Sequence, residues 1–400
     1  MKKIILSFFA LSAIALTSCS SDDDNNGERV IQEVSDIDLE GLTVPQNYEF
    51  TRNGQLTVSF GGQTTRTLMA KELVSAMKDV NSTSALLKDD MFTNGIGFST
   101  DELNESGKKL RSKFAVSDDF FESGASSETR SIQADFDDMI EKQVTEVFIA
   151  RNNDINAAAG TAGKIQDGTD DDGNPKYRYV NRLGIEKDQE FAKGLIGALQ
   201  LDQALNNYMA RVNNDDNDAI VQDKNYTVME HHFDEAYGYL MNAEDDAFFG
   251  KYLGRVNRGD AFAGIVDDID EAFRIARQAI VDKKYAVRDQ AIEVLRYQVS
   301  KVVAARTVYY LQTGKVAKQN NDLGGAFHDL SEGFGFVKSL RFTRQSDSNA
   351  PIFSEQEVND FVSLLTENDG FWSVTPDTLD SISQDIAAKF DFTVAEAINQ

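Results

Sequence analysis

Residues 285–312 read YAVRDQAIEVLRYQVSKVVAARTVYYLQ. Ile292, Leu295, Val299, Val302, Val303 and Tyr310 recur at three, four and seven residues, which sets them on one stripe of a 3.6-residue helix. The stretch contains no proline or glycine, so it predicts an unbroken rod of about 40 Å at 1.5 Å per residue. Such a stripe cannot be buried by its own helix. Other helices must pack around it, and the same period appears on both sides. Upstream it marks helices at 227–242, 246–257 and 260–283. Downstream it marks Ser354–Asn368, where Ser354-x-x-Glu357 fits a capping box, and Thr375–Phe390, where Thr375-Pro376 places a cap before a proline at the first helical position.

Earlier in the chain, Leu68, Met69, Leu73, Ala76, Met77 and Val80 form one amphipathic stripe, and Ile132, Phe136, Met139, Ile140, Val144, Val147 and Phe148 another. A third helix runs from about Ile185 to Val212 through Phe191, Leu195, Leu199, Leu205, Tyr208 and Met209. Only 4 prolines occur in 400 residues, so long stretches lack helix breakers. Two segments depart from the helical period. Tyr48–Phe60 alternates apolar residues about Asn53-Gly54, a type I′ turn signal, and Gly160–Asn181 places Lys164-Ile165 and Tyr177–Val180 around an Asp/Gly/Asn/Pro turn; both predict hairpins. The expected fold class is all-α with small β-hairpin insertions.

Lys and Arg number 40 against 66 Asp and Glu, a formal charge of -26, which excludes a sequence-independent nucleic-acid surface and favours cationic partners. One cysteine and 3 histidines leave no structural-zinc cluster. Gly160–Ile165 lacks the spacing and hydroxyl of a phosphate loop, and Asp167–Pro175 lacks the calcium-loop spacing. No nucleophile elbow or His-Glu-x-x-His element is present.

Chemistry therefore points to the histidines. His232 and Glu235 lie one turn apart on the apolar side of the 227–242 helix, a geometry in which imidazole and carboxylate can share a metal when a facing helix completes the set. His231 and Asp234 make the same pairing rotated away from the core, and Glu230 precedes them. His328 and Glu332 fall along one side of the glycine-rich 322–342 segment. A satisfied helical His–carboxylate ion pair explains each pairing equally simply. Asp202, on the apolar stripe of its own helix, is a further candidate carboxylate.

At His232-x-x-Glu235 the sequence resembles the imelysin-like proteins of the bacterial periplasm and outer membrane, helical proteins with a Gly-x-His-x-x-Glu motif linked to iron uptake and, in name, to a peptidase. Glu230 stands here where the motif has glycine. More closely, Leu56–Arg66, Lys193–Ala198, Glu230–Tyr239, Phe327–Phe336 and Ser339–Phe342 are similar to a family of lipoproteins of comparable length in Bacteroidota. The resemblance implies two packed helical bundles over 41–400, a second bundle beginning near 215–225, and His232 and Glu235 as the positions matching the motif.

The first residues carry an address. Met1-Lys2-Lys3 is basic, Ile4–Leu16 is apolar but too short to span a bilayer, and Leu16-Thr17-Ser18-Cys19 resembles a lipobox. The expectation is a signal peptide over 1–18, a lipid anchor at Cys19, and an acidic flexible tether over 19–40 whose Ser21–Asp24 resembles a surface-export signal. The sequence thus predicts an outer-membrane-anchored binding lipoprotein, on the outer face or otherwise the periplasmic one. It would capture iron, another divalent or trivalent metal, or an iron-bearing ligand for an outer-membrane transport system. His232, Glu235, His328 and Glu332 would be metal ligands, with Glu230, His231, Asp234 and Asp202 outside them or as alternatives. Two other readings use the same residues or the aromatics: a metallopeptidase with an open water position, and a surface glycan- or protein-binding lipoprotein contacting partners through Trp372.

Overall fold

The computed structural model describes residues 32–121, 124–241 and 248–400. The expected leader over 1–18, the expected Cys19 anchor and the first part of the expected tether lie outside them. Helices dominate: α1 (Gly61–Ala76), α2 (Asp101–Asn104), α3 (Asp118–Phe121), α4 (Ser127–Lys142), α5 (Ile149–Asn152), α6 (Lys187–Leu195) and α7 (Val228–Leu240) in the first part of the chain. Then follow α8 (Phe249–Val256), α9 (Ile265–Val281), α10 (Tyr285–Gln319), α11 (Leu323–Ser339), α12 (Glu355–Thr366), α13 (Pro376–Ala387) and α14 (Val394–Ile398).

The helix expected at 285–312 is α10, which continues past Gln312 to Gln319. Its stripe is the centre of the core: Leu295, Val299, Val302 and Val303 have no exposed surface. Helices α9, α11, α13, α14 and α8 pack around it. Caps form where the sequence places them, with a reciprocal box at Ser354/Glu357 and Pro376 in the first turn behind the Thr375 cap, and the structure adds a second reciprocal box at Thr227/Glu230.

Two antiparallel hairpins interrupt the helices. β1 (Thr51–Arg52) and β2 (Gln55–Leu56) close over Asn53 and Gly54, whose φ values of 54° and 76° are those a type I′ turn demands. β3 (Gly163–Thr169) pairs with β4 (Pro175–Val180) in the register Lys164 to Tyr179 and Gln166 to Tyr177, with an irregularity before Thr169.

Three stretches wind as π-helix: Ala85–Asn94, Gln143–Phe148 continuing α4, and Ile196–Met209 continuing α6. Apolar periodicity marks the last two as helical, but it cannot separate i→i+5 from i→i+4 bonding over so few turns. Helix α11 lies directly on α6. A Cβ on Gly335 would stand 2.7 Å from the Glu190 carbonyl, and one on Gly197 would stand 2.5 Å from Ser339 Cα, so both positions exclude a side chain.

The tether ends earlier than residue 40. Gln298 donates to the Gln32 carbonyl, the Asp38 amide donates to Gln290, Lys284 donates to the Glu40 carbonyl, and Ile37 is buried. These residues are docked on α10 and its approach because they offer backbone acceptors and one apolar anchor. Helices on either side of 215–225 interleave, the 196–209 stretch packing on both α7 and α11 and α1 on α7; Ile31–Gln400 forms one compact unit. Among the described residues no helix is long and apolar enough to cross a membrane.

Candidate functional site

The histidine face of α7 is closed by protein partners. His232 Nδ1 is 2.8 Å from Asp215 Oδ2, and its ring lies against Tyr208. Glu235 accepts from Gln63 Nε2 at 2.7 Å and from the Tyr208 hydroxyl, and burial, with the Tyr239 and Glu235 charges, holds that phenol well above its ordinary range. His231 stacks on Tyr226 at 4.5 Å, and burial lowers its pKa.

Glu230 and Asp234 turn toward α9. The fully buried Arg277 places Nε 2.8 Å from Asp234 and Nη1 3.1 Å from Glu230, while Nη2 reaches the Thr57 hydroxyl. Tyr48 donates to Asp234, the Ser59 amide donates to it, and Arg52 donates to both Glu230 oxygens. Burial pushes Asp234 up to about 6, although Arg277 opposes that shift. Every polar atom here has a job in fixing the N-terminal hairpin to α7 and α9. Asp202 is likewise committed: it accepts from the Val116 and Ser117 amides and the Ser117 hydroxyl, ahead of α3, and burial raises it to about 6.

On α11, His328 Nδ1 lies 3.0 Å from Glu186 Oε2. Burial works to lower its pKa, but the Glu186 bond and charge outweigh burial and raise it. Glu332 instead pairs with Lys193 at 2.6 Å; burial opposes its ionisation, yet the Lys193 and His328 charges hold it down at about 2. Among the described residues, no group of three or more His, Cys, Asp or Glu side chains could hold a metal ion. The four nominated ligands, His232, Glu235, His328 and Glu332, therefore do not form one centre: α7 faces α1, α9 and the 196–209 stretch, whereas α11 faces α10 and α6.

His328 does lead to a site that the motif search missed. Glu186, Lys187, Asp188, Gln189 and Glu190, five successive polar residues, are each no more than 8% exposed. They open α6 inside the protein rather than at its surface. Glu190 is held at about 2 because Lys187 and Lys338, each 2.6 Å away, outweigh burial. Glu186 and Asp188 are less well served, and both form a wall of a cleft of about 170 Å³.

The Glu186 Oε1 atom is buried with no hydrogen-bond partner, its closest cation being Arg178 Nε at 3.8 Å. Asp188 receives one bond from Gln189, and burial together with the neighbouring Glu186 charge pushes it up to about 6. Across the cleft, Gln143 donates Nε2 to the Met77 carbonyl at 2.7 Å, which fixes its amide orientation and leaves Oε1 buried and unpartnered. Gln143 is the first residue of a π-helical stretch, a winding found often at functional sites. Tyr177, Arg178 and Tyr179 of β4 form another wall, and Lys78 and Arg151 stand at the exposed rim.

The arrangement can attract a positively charged donor to its buried acceptors. The signal that could have revealed it is negative: Glu186–Glu190 contains no apolar residue, so it reads as a solvated first turn rich in acids.

The family described as "Domain of unknown function (DUF4856)" matches residues 45–393, and the chain belongs to that family. No curated protein and no solved structure matches the chain.

Proposed function

We propose that this protein is a ligand-binding protein whose site is the α6 cleft and whose ligand is small and carries a protonated amine. The observation that carries the reading is the pair Glu186 and Asp188, two buried carboxylates that repel one another on one cleft wall, with Glu186 Oε1 left without a donor. Buried charge short of partners is destabilising, so its retention at a cleft argues for a ligand that completes it. An ammonium group supplies what is missing, namely positive charge and several N–H donors for Glu186 and Gln143. The cleft, about 170 Å³, is smaller than most small-molecule pockets, which suits a compact ligand and not a siderophore-sized one.

Anchorage of the protein to the outer membrane through a lipidated Cys19, with release of the ligand to a transport system, is the cellular setting we propose for this binding; its support is the lipobox-like Leu16–Cys19. The Ser331 hydroxyl near Glu186 and His328 is occupied, donating to the Phe327 carbonyl and accepting from the Glu186 amide.

Calorimetric titration with small alkylammonium ions and with alcohols of equal size tests the reading. Ammonium probes should bind, alcohols should not, and Glu186→Gln should weaken binding by about tenfold or more, some 1.4 kcal/mol. Equal affinity of wild type and variant for every probe would remove the site.

A further inference from the structure

Lys78 and Arg151 stand at the rim of the same cleft; neither is in salt-bridge contact with a carboxylate among the described residues, although the Lys78 charge acts on Asp188 across the cleft. Arg151 is held in place without being neutralised. Its Nη1 donates to the Lys78 carbonyl at 3.1 Å, and its guanidinium lies over the Tyr179 ring at 4.6 Å. Arg178, the third base in the wall, is different: Asp167 takes it at 2.7 Å, and Glu186 is 3.8 Å away. Arg151, not neutralised, and Lys78, whose charge reaches only Asp188, thus sit above two poorly served carboxylates, in a chain with 66 acidic residues against 40 basic ones. The cleft is negative at its buried wall and positive at its mouth.

We infer that the ligand is a small aminocarboxylate of the free amino acid class, its ammonium against Glu186, Asp188 and Gln143 and its carboxylate on Arg151 and Lys78. This rests on the amine reading above and adds the second charge. A lone metal cation or simple amine would gain nothing from Arg151 and Lys78, and both bases would repel it. A carboxylate at the mouth matches the planar fork of a guanidinium already oriented by Tyr179, so little ordering is needed on binding. Tyr177 and Tyr179 then flank whatever side chain the ligand carries, an apolar and stacking surface rather than a charged one.

The inference is tested by calorimetry on the full protein with the common amino acids, their amides and their N-acetyl derivatives. Wild type should bind at least one amino acid, bind its amide about tenfold more weakly, and fail to bind the N-acetyl form. The variant Lys78→Gln/Arg151→Gln, altered only at exposed positions, should bind acid and amide alike, at the affinity wild type shows for the amide. Equal affinity of wild type for acid and amide overturns the carboxylate end while leaving the amine reading in place. Failure of every ammonium-bearing probe to bind wild type overturns both. Retention of the preference for acid in the double variant overturns the assignment to Lys78 and Arg151.

Discussion

Arg277 and Glu186 both bury charge, but the regions around them treat it differently. Around Arg277 each guanidinium nitrogen has an acceptor, and Asp234 and Glu230 are bonded by side chains of β1, α9 and the residues flanking the first hairpin. Around Glu186 one carboxylate oxygen is left over, Asp188 crowds it, and an amide oxygen across the cleft is also unused. Titration does not separate the two regions, since Asp234 and Asp188 are both raised to about 6. Counting hydrogen bonds does. A complete buried network marks architecture, and an incomplete one beside a cleft marks a place for something else.

The sharpest way to break this contrast is Arg277→Met. It takes away the cation of the buried Asp234, leaving it only the Tyr48 and Ser59 donors, and leaves Arg52 as the cation on Glu230, so urea unfolding should show a loss of about 3–5 kcal/mol. A loss under about 1 kcal/mol, the level of an exposed pair, would mean that the network is not structural.

Asp188→Asn should move stability the other way. The folded state keeps the Asp188 proton up to about 6, whereas the unfolded chain releases it near the ordinary aspartate value of 3.8, so between those values the native state binds more protons and wild-type stability falls as pH rises. The variant lacks that fall and should be more stable at pH 7 by about 1–3 kcal/mol. Parallel stability–pH curves for the two proteins between pH 4 and 7 would show that Asp188 is already satisfied.

Glu186→Gln separates function from folding. It should change the urea midpoint little at pH values where His328 is neutral, because Oε1 makes no bond to lose and the amide oxygen can still face His328, and should lower the pKa of His328 by removing the charge that raises it. Histidine resonances followed by NMR through pH 5–9 would report the drop; an unmoved His328 would place the control elsewhere.

The smallest effect on binding is expected from His232→Ala/Glu235→Ala. The double variant leaves Gln63 Nε2 without an acceptor and Asp215 with Arg211 alone, 3.9 Å away, for about 1–2 kcal/mol of destabilisation, and should bind iron no differently from wild type. Stoichiometric iron binding lost in this variant would restore a metal centre on α7.

Much of the fold could be read from residue order. The α10 stripe, the Asn53-Gly54 turn and the caps at Ser354 and Thr375 are local signals, and each acts through atoms a few residues apart. The cleft could not be read in the same way. Glu186 meets His328 across 142 positions, Gln143 meets Met77 across 66, and nothing near Lys187 says that α6 is buried on every side. The histidine pairings misled for a related reason. Spacing along α7 and α11 set each His beside a carboxylate of its own helix, but His232 and His328 bond instead to Asp215 and Glu186 from outside those helices.

The π-helical winding of Ile196–Met209 has a consequence for how this family can drift in sequence. A π turn holds one residue more than the α turn it replaces, so the stretch is a place where the chain length and the helix register are decoupled. Deleting a single residue there would relax a π turn to an α turn, keeping the register beyond the stretch but turning the residues between the deletion and the relaxed turn by about 100°. Upstream of Asp202, that rotation would carry its carboxylate off the Val116 and Ser117 amides and bring the longer, uncharged Gln203 into its place. Length variation among relatives is therefore expected to avoid 196–202 and to collect in the exposed Asp170–Asn174 turn, where an added residue disturbs only solvent.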